Sequence, residues 1–465
     1  MLRKPHKPPE TLPKSMPNAS NKPLPIRVIG AGLAGPEAAW QCARRGLSVE
    51  LWEMRPTRRT PAHETDFFGE LVCSNSLKSD SVDTAPWLLK QEMRHANSLL
   101  MQLAARTSVP AGHALAVDRL EFGRAVTEAI EAEPLIRIRR EELTSFGDFD
   151  GLTILATGPL TSDALAAELQ GLTGSERLYF YDSISPIVEA DSIDETKTYR
   201  AARWDKGTAD YINCPMSREE YERFLAALIE AQEVDGHEWD KAQFFEGCLP
   251  IEETARRGPD TLRFGPMKPV GLRDPRTGQT PYAVVQLRQE NLRADSYNLV
   301  GFQNHLKFGE QAKVLRLIPG LENARFVRFG QIHRNTYIHA PTVLEPTLQM
   351  KLHPRVLVAG QLSGVEGYVE SIATGLLAGV AAAQLAIGRQ PVAAPRASAH
   401  GSLVHYICHT EAKHFQPANI TFDLLEQLDE ATKKKVRDKK LRHKMVCEKA
   451  LAAFAEWWAA VGPTS

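Results

Sequence analysis

The sequence predicts an α/β fold in which a parallel-sheet domain is interrupted by a second domain of mixed α+β character. Three observations support this prediction. A short apolar strand near residue 26 leads into a glycine-rich turn, a helix and a second strand. Two further apolar strands, near residues 152 and 355, also end in glycine. Between them the chain contains scattered Pro and Gly with many aromatic residues, which indicates an inserted domain.

The first βαβ unit opens at residue 26. Ile26 to Ile29 is a β-rich apolar segment, and a helical stretch follows that continues to Arg45. Gly46 ends the helix, and Val49 to Glu53 has the pattern of a second strand. A strand, helix and strand within about thirty residues indicate a Rossmann-type unit.

The turn of this unit carries the pattern GxGxxG. The first glycine permits the tight turn, the second lets the backbone approach a pyrophosphate, and the third lets the helix pack closely on the sheet. The helix N-terminus offers free amides to phosphates, and a carboxylate ending the second strand can accept hydrogen bonds from ribose hydroxyls. The predicted dinucleotide site comprises Gly30, Ala31, Gly32, Leu33, Ala34, Gly35 and Glu53.

Two later strand ends identify the dinucleotide as FAD. Ala156-Thr157-Gly158 resembles the second signature of glutathione-reductase-like flavoproteins, and Val358-Ala359-Gly360 resembles their last. In those proteins the last turn lies beside the ribityl chain and the flavin ring. The resemblance implies that Gly158, Gly360 and Gln361 contact FAD.

We divide the chain into four parts. Residues 1–25 are rich in Pro, Lys and Ser and are expected to form a disordered tail. Residues 26–204 form the first part of the FAD-binding domain, and 205–344 form the insertion domain. Residues 345–465 complete the FAD-binding domain and add C-terminal helices. A further helix is predicted from Leu88 to Ala105.

Composition excludes several classes of protein. The net charge of −1 means that any contact with nucleic acid relies on local basic patches. No apolar run approaches the ~20 residues that span a bilayer, so we expect no membrane association. Six cysteines in 465 residues do not indicate a disulfide framework, and a cytoplasmic location fits best. We predict no metal, and the sequence leaves the oligomeric state open, with a monomer as one option.

Two cysteines lie in unusual surroundings. Cys73 follows the segment TPAH within ELVCSNSL, and Cys248 lies within EGCLPIE, each among polar residues or glycine. Most cysteines are small buried hydrophobic residues. Cys42 and Cys447 fit that description better than Cys73 and Cys248 do.

Five strings carry a family resemblance: GAGLAGPEAAWQ, TPAH followed by ELVCSNSL, EGCLPIE, GPMKPVGL and GQLSGVEGYVES. They resemble the folate- and FAD-dependent tRNA (uracil-5-) methyltransferases, the TrmFO family. The resemblance extends from about Ile26 to the C-terminus. One departure is Phe68-Gly69-Glu70, where the family pattern has Phe-Ala-Glu.

The resemblance implies a reaction. Methylenetetrahydrofolate gives a one-carbon unit to C5 of uridine 54 in the tRNA T-loop, reduced FAD supplies electrons, and NADPH or NADH reduces the FAD again. Folate then stacks on the flavin, with Glu366, Gly367 and Tyr368 as the expected lining. Tyr368 as a core residue is the alternative.

The cysteines suit this chemistry. A thiolate that adds to C6 of uracil makes C5 nucleophilic, and a second group must remove the C5 proton. We assign Cys248 as the nucleophile and Cys73 as the proton-handling partner, and the exchanged roles remain an alternative. Further candidates for folate or RNA contact, with surface solvation as the alternative, are His305, Lys307, Phe308, His333, Arg334 and Asn335.

A basic run from Lys433 to Lys444 precedes an apolar helix and is a candidate RNA contact or a solvated helix face.

Three other functions remain open at this point. They are the same chemistry on ribosomal RNA, a plain NAD(P)H-dependent flavin oxidoreductase and a flavin-bearing RNA-binding factor. The second is disfavoured because the chain has no CxxC motif and no second glycine-rich fingerprint.

Overall fold

The computed structural model describes residues 24–60, 62–147, 151–173, 178–234 and 249–463, without the side chains of 178–183 and 332–334. Residues 1–23, which make up nearly all of the predicted tail, lie outside this description.

Sixteen strands and fourteen α-helices are found within the described residues. The strands are β1 (Ile26–Ile29), β2 (Val49–Trp52), β3 (Ser76–Ser79), β4 (Ser108–Val109), β5 (Ala114–Val117), β6 (Ile136–Arg139), β7 (Thr153–Leu155), β8 (Leu178–Ser183), β9 (Ile187–Glu189), β10 (Tyr199–Arg200), β11 (Ile212–Met216), β12 (Ala283–Gln289), β13 (Ser296–Leu299), β14 (Phe326–Arg328), β15 (Ile332–Tyr337) and β16 (Val356–Val358). The helices are α1 (Ala34–Ala43), α2 (Ala85–His95), α3 (Leu99–Arg106), α4 (Arg119–Glu131), α5 (Asp163–Thr173), α6 (Arg218–Glu230), α7 (Ile251–Arg256), α8 (Thr261–Phe264), α9 (Phe308–Leu315), α10 (Ala340–Val343), α11 (Tyr368–Ala386), α12 (Ala399–His409), α13 (Glu430–Lys435) and α14 (Lys439–Val461).

The first sheet confirms the predicted α/β class. Its five strands are all parallel, in the order β16-β7-β1-β2-β6. Helix α1 packs against α11, where Gly375 and Gly379 make the close approach possible. A Cβ at Gly375 would lie 2.4 Å from the Ala34 carbonyl oxygen, and one at Gly379 would lie 2.6 Å from that of Ala38. The carboxyl ends of parallel strands meet at one edge, which is where α/β sheets bind ligands.

The second sheet is antiparallel and has its own apolar core. Its six strands have the order β10-β11-β12-β13-β9-β14, and helices α6, α7 and α9 contribute to the core beside it. Strands β9 and β10 precede residue 205, so this sheet begins before the residue at which we placed the start of the insertion domain. In two smaller sheets, β5 pairs with both β3 and β4, and β15 pairs with β8.

The helix predicted over 88–105 is in fact two helices, α2 and α3. Asn97 adopts a left-handed conformation with φ of 54°, which ends the first helix. The Ser98 side chain then accepts the Met101 amide hydrogen and caps the second.

Helix α11 corrects one expectation from the sequence. It is 19 residues long, and its most apolar stretch has a mean hydropathy of 1.4, which is enough by length and composition to cross a membrane. Of that stretch, 83% is buried inside the protein, so packing in the core accounts for its apolar character.

Candidate functional site

A cleft lies at the carboxyl edge of the first sheet. It encloses about 990 Å³ of non-protein space, including its open mouth. Of the residues predicted to bind the dinucleotide, those that line it are Gly30, Ala31, Gly32, Leu33, Ala34, Glu53, Gly158, Gly360, Gln361 and Tyr368. The structure therefore brings together three segments that are far apart in sequence.

The glycine turn shapes one wall of the cleft. Gly30 has φ of 99°, and a Cβ there would lie 2.4 Å from the Ala156 carbonyl oxygen. A Cβ at Gly35 would lie 1.8 Å from the Gly30 carbonyl oxygen, so Gly35 is required for packing beneath the cleft. A Cβ at Gly32, in contrast, would meet no protein atom within 4 Å. Because α1 has no side-chain cap, its first amides remain available to an anion.

Glu53 is a buried carboxylate at the end of β2. One of its oxygens accepts the Ala31 amide hydrogen at 2.9 Å, and the other accepts from the Arg55 amide at 3.0 Å and from Arg55 Nε at 2.9 Å. Burial alone would raise the pKa of Glu53, but the Arg55 charge and these hydrogen bonds outweigh it and hold the pKa below its usual value. Glu53 is therefore ionised, and its carboxylate retains lone pairs for further donors.

Glu366 and Gly367 lie behind the cleft wall and do not line it. Gln361 donates from Nε2 to Glu366 Oε2 at 2.9 Å, so Glu366 orients a side chain that does face the cleft. Gly367, with φ of 109°, precedes α11. A Cβ there would lie 2.5 Å from Glu370 Oε2, which leaves no room for a larger residue.

Tyr368 joins the cleft to the loop that carries Cys73. Its phenol oxygen accepts the Cys73 amide hydrogen at 2.7 Å and that of Ser74 at 3.1 Å. Burial, reinforced by the neighbouring Cys73, raises the pKa of Tyr368, so the phenol stays protonated. Cys73 is half-buried, and the preceding Val72 lines the cleft. The structure thus places one predicted catalytic cysteine beside the predicted cofactor site.

Three arginines that we did not predict hold this loop. Arg119, the first residue of α4, donates to the Leu71 carbonyl at 2.9 Å and forms an ion pair with Glu290 at 2.7 Å. Burial alone would lower the pKa of Arg119, but Glu290, Tyr368 and Cys73 raise it.

The other two arginines belong to the second sheet. Arg328 donates to the Val72 carbonyl at 3.1 Å, and Arg288 donates to Ser74 Oγ at 2.7 Å and Asn75 Oδ1 at 2.9 Å. The second sheet therefore also holds the loop that Tyr368 contacts. No motif surrounds these arginines, so only Asn75, within the string ELVCSNSL, gave a sequence signal for this network.

Cys248 lies outside the described residues. Immediately after it, Glu252 is buried and ion-paired with His305 Nδ1 at 2.6 Å, while Glu233 pairs with His305 Nε2 at 2.9 Å. Burial alone would lower the pKa of His305, but these two carboxylates raise it. His305 is therefore an ion-paired side chain, 5% exposed, and not a solvated surface residue.

The same cluster contains possible metal ligands. Glu233, Glu253 and His305 present ligand atoms within 4.8 Å of one another. Arg256 forms ion pairs with both carboxylates, so a cation already balances their charge.

Similarity to known proteins decides the family. The sequence model of the family described as "Glucose inhibited division protein A" matches residues 25–390. Two relatives carry the name "Methylenetetrahydrofolate--tRNA-(uracil-5-)-methyltransferase TrmFO". The protein from Koribacter versatilis is 71% identical over 94% of this chain and 98% of its own length. The protein from Solibacter usitatus is 61% identical over 93% and 98%. The chain belongs to the TrmFO family.

The fold of this TrmFO-family chain is shared with a solved structure of lower identity. Aquifex aeolicus GidA, in its form II crystal, superposes with a TM-score of 0.70 over 95% of this chain and 74% of that chain, at 16% identity. The form I crystal gives a TM-score of 0.68. These similarities confirm the predicted Rossmann-type fold with its insertion.

Proposed function

We propose that this chain transfers a one-carbon unit from methylenetetrahydrofolate to C5 of a uridine in tRNA, at position 54 of the T-loop. Membership of the TrmFO family supports the reaction. The structural observation that carries the proposal is the hydrogen bond from the Cys73 amide to Tyr368, because it places a thiol beside a dinucleotide cleft. We expect the reaction in the cytoplasm, where thiols remain reduced, and the five cysteines of the described residues form no disulfide with one another.

The cleft fits FAD. The space at Gly32 and the uncapped first turn of α1 suit a pyrophosphate, and the ionised Glu53 suits ribose hydroxyls. On the opposite wall, Gly158, Gly360 and Gln361 face the same space. When bound, reduced FAD would supply the two electrons that turn a transferred methylene group into a methyl group. We propose NADPH or NADH as the source of those electrons.

The two cysteines divide the chemistry on the uracil ring. We assign Cys248 as the thiolate that adds to C6, which turns C5 into a carbon nucleophile that attacks the methylene group. Cys73 accepts the proton that C5 must release, and C5 then expels tetrahydrofolate and keeps the carbon as an exocyclic methylene group. Two electrons and a proton, which reduced FAD would supply, turn this group into methyl, and the Cys248 thiolate then leaves C6 to restore the C5–C6 double bond. Tyr368 and Arg119 hold the Cys73 backbone in place for that transfer.

The folate site adjoins the same wall. We propose that Tyr368 and Gln361 contact the folate or the flavin directly, since both line the cleft. Glu366 and Gly367 act through them, by orienting Gln361 and by allowing the tight entry into α11.

Product analysis tests the proposed function. Purified protein is incubated with FAD, NADPH, unmodified tRNA and methylenetetrahydrofolate labelled in its methylene carbon, and the RNA is digested and mapped. We expect label in 5-methyluridine at position 54, with none when NADPH or folate is omitted. Label in ribosomal RNA but not in tRNA would refute the target, and NADPH oxidation without any labelled RNA would leave only a flavin oxidoreductase.

The division of roles between the cysteines has its own test. Cys73→Ala and Cys248→Ala variants are incubated with tRNA and methylenetetrahydrofolate, and covalent protein–RNA adducts are separated on denaturing gels. We expect the adduct to be lost in C248A and retained in C73A. An adduct that survives in C248A and disappears in C73A would exchange the two roles.

A further inference from the structure

The basic run of the C-terminal region forms an exposed cationic surface. Helix α13 has no buried residue, and the first buried residue of α14 is Val446. The seven residues of α14 before Val446 therefore add nothing to the apolar core. This cationic surface consists of Lys433, Lys434, Lys435, Arg437, Lys439, Lys440, Arg442, His443 and Lys444.

Most of these cations lack acidic partners. Within the part of the chain that the structure describes, only Lys433 and Lys444 of this surface form ion pairs, with Glu430 and Glu448. Arg442 Nε is buried without a hydrogen-bond partner among the described residues. The chain as a whole is nearly neutral, with a net charge of −1, so this excess of positive charge is local.

Helix stability does not account for Lys439 and Lys440. They occupy the first turn of α14, where the helix dipole presents its positive end, and a cation there is unfavourable. The charges of Lys439 and Lys440 therefore destabilise this end of α14, and the charge of the neighbouring Arg442 does the same.

Part of the cationic surface lines a cavity that encloses about 830 Å³ of non-protein space, including its open mouth. Its lining includes Lys433, Lys439 and Arg442, together with the stacked rings of Phe422 and His443, whose centroids are 3.7 Å apart. Burial, Lys439 and Arg442 lower the pKa of His443, so the ring is more readily neutral. Cations beside an aromatic stack are the combination that binds phosphates and bases of RNA.

The segment that carries Phe422 also contacts residues beside the candidate site. Phe422 lies two residues after Ile420, whose amide donates to Glu370 at 2.9 Å, and Ala418 accepts from the Glu366 amide at 2.9 Å. Asp83, only ten residues after Cys73, interacts electrostatically with His443. Ten extended residues span at most ~36 Å, so Asp83, which interacts with the cationic surface, lies within that distance of Cys73.

We infer that the cationic surface of α13 and α14 binds backbone phosphates of the RNA whose uridine reaches the cleft. This inference rests on the proposed function and adds the docking site of its substrate. Phosphate contacts position a nucleic acid without reading its sequence, so the surface sets the register of the T-arm and leaves the choice of uridine to the cleft.

Charge reversal tests the inference in the full FAD-loaded protein. The variant K439E/K440E is compared with K206E/R223E, which reverses two exposed cations, Lys206 between β10 and β11 and Arg223 on α6, and changes the net charge equally. Binding of an unmodified tRNA transcript is followed by fluorescence anisotropy from low to high salt. Each lost phosphate contact reduces the slope of log affinity against log salt by about 0.7–0.9. We expect a slope reduction of about 1.4–1.8 and at least about tenfold weaker binding for K439E/K440E alone.

Two further measurements exclude a folding defect. Acidic residues favour a helix N-terminus, so K439E/K440E should melt no lower than the wild type while it binds RNA less tightly. The KM for tRNA should rise, with little change in kcat and in NADPH oxidation without RNA.

Suppose that the wild type methylates tRNA and that K439E/K440E binds tRNA as tightly as K206E/R223E does. This result would overturn the docking surface and leave the proposed function standing. A wild type that neither binds nor methylates tRNA would overturn both.

Discussion

The phenol oxygen of Tyr368 accepts the backbone amide hydrogen of Cys73 at 2.7 Å, across 295 residues of sequence. Tyr368 begins α11 and lines the cleft at the edge of the first sheet, whereas Cys73 belongs to the loop before β3. This contact therefore couples the position of the thiol to the wall of the proposed flavin site.

Tyr368→Phe removes the acceptor for two backbone amides and leaves them in a half-buried loop. We expect about a thirtyfold fall in kcat with FAD content unchanged, since two lost hydrogen bonds of about 1 kcal/mol each amount to about 2 kcal/mol. Steady-state methylation of tRNA measures the effect. Tyr221→Phe is the matched control, because Tyr221 Oη donates to the Pro259 carbonyl at 2.6 Å in the second core. Equal losses in both variants would mean a general loss of stability and not a positioning role.

Arg119→Lys retains a positive charge but cannot reproduce the forked contacts with the loop and Glu290. We expect a lower kcat with an unchanged pH dependence of Cys73 alkylation by iodoacetamide. The double variant R119Q/E290Q removes the ion pair without leaving a buried charge. Because a cation favours the thiolate, the midpoint of Cys73 alkylation against pH should rise by about one pH unit in this variant. Arg124→Gln, an exposed cation on the same helix, should change neither quantity. An unshifted profile in R119Q/E290Q would remove the electrostatic role.

Glu53→Gln tests the ionised carboxylate of the cleft. Because the folded protein lowers the pKa of Glu53 below its ordinary 4.5, the unfolded chain binds more protons near that pH. The free energy of unfolding therefore contains a contribution from Glu53 that is complete above about pH 4.5 and declines as the pH falls further. We expect E53Q to be less stable at pH 7 and to bind FAD about tenfold more weakly. Its free energy of unfolding, measured by denaturant titration, should fall less steeply as the pH drops below about 4.5. Glu50→Gln, on the same strand but partly exposed, should retain the wild-type acid limb.

Gly35→Ala should prevent normal folding. The new methyl group would lie 1.8 Å from the Gly30 carbonyl oxygen, so α1 must move away from the sheet, at a cost of about 3 kcal/mol or more. Thermal denaturation followed by circular dichroism checks this expectation. Gly171→Ala, in α5 and with no atom within 4 Å of its Cβ, should be neutral or slightly stabilising. A G35A protein that melts with the wild type would contradict the packing assigned to this glycine.

The sequence predicted the parallel sheet and most of the cleft because local patterns encode both. The glycine turn and Glu53 belong to one βαβ unit, and Gly158 and Gly360 each end an apolar strand, so every part carried its own signal. Cys73 stood out because polar residues surround it.

The network behind Cys73 gave no such signal. Arg119, Arg288 and Arg328 belong to three separate elements, and a single arginine in a helix or strand is ordinary until the fold brings it to the loop. The start of the second sheet was missed for a related reason, since β9 has only three residues and its partner strands lie about a hundred residues later. The break between α2 and α3 depends on Asn97, whose left-handed conformation an apolar periodicity does not reveal.

Flavin uptake by the Gly32→Ala variant tests the central claim most directly. Gly32 lies outside the left-handed region, and its added methyl group would meet no protein atom within 4 Å, so the fold should tolerate alanine while the methyl group occupies the space of the pyrophosphate. Wild type and G32A are purified, reconstituted with FAD and examined by absorption spectroscopy and thermal melting. We expect one FAD per wild-type chain and a colourless G32A protein that is folded. A wild type that takes up no flavin, or a G32A variant that binds FAD equally well, would contradict the central claim.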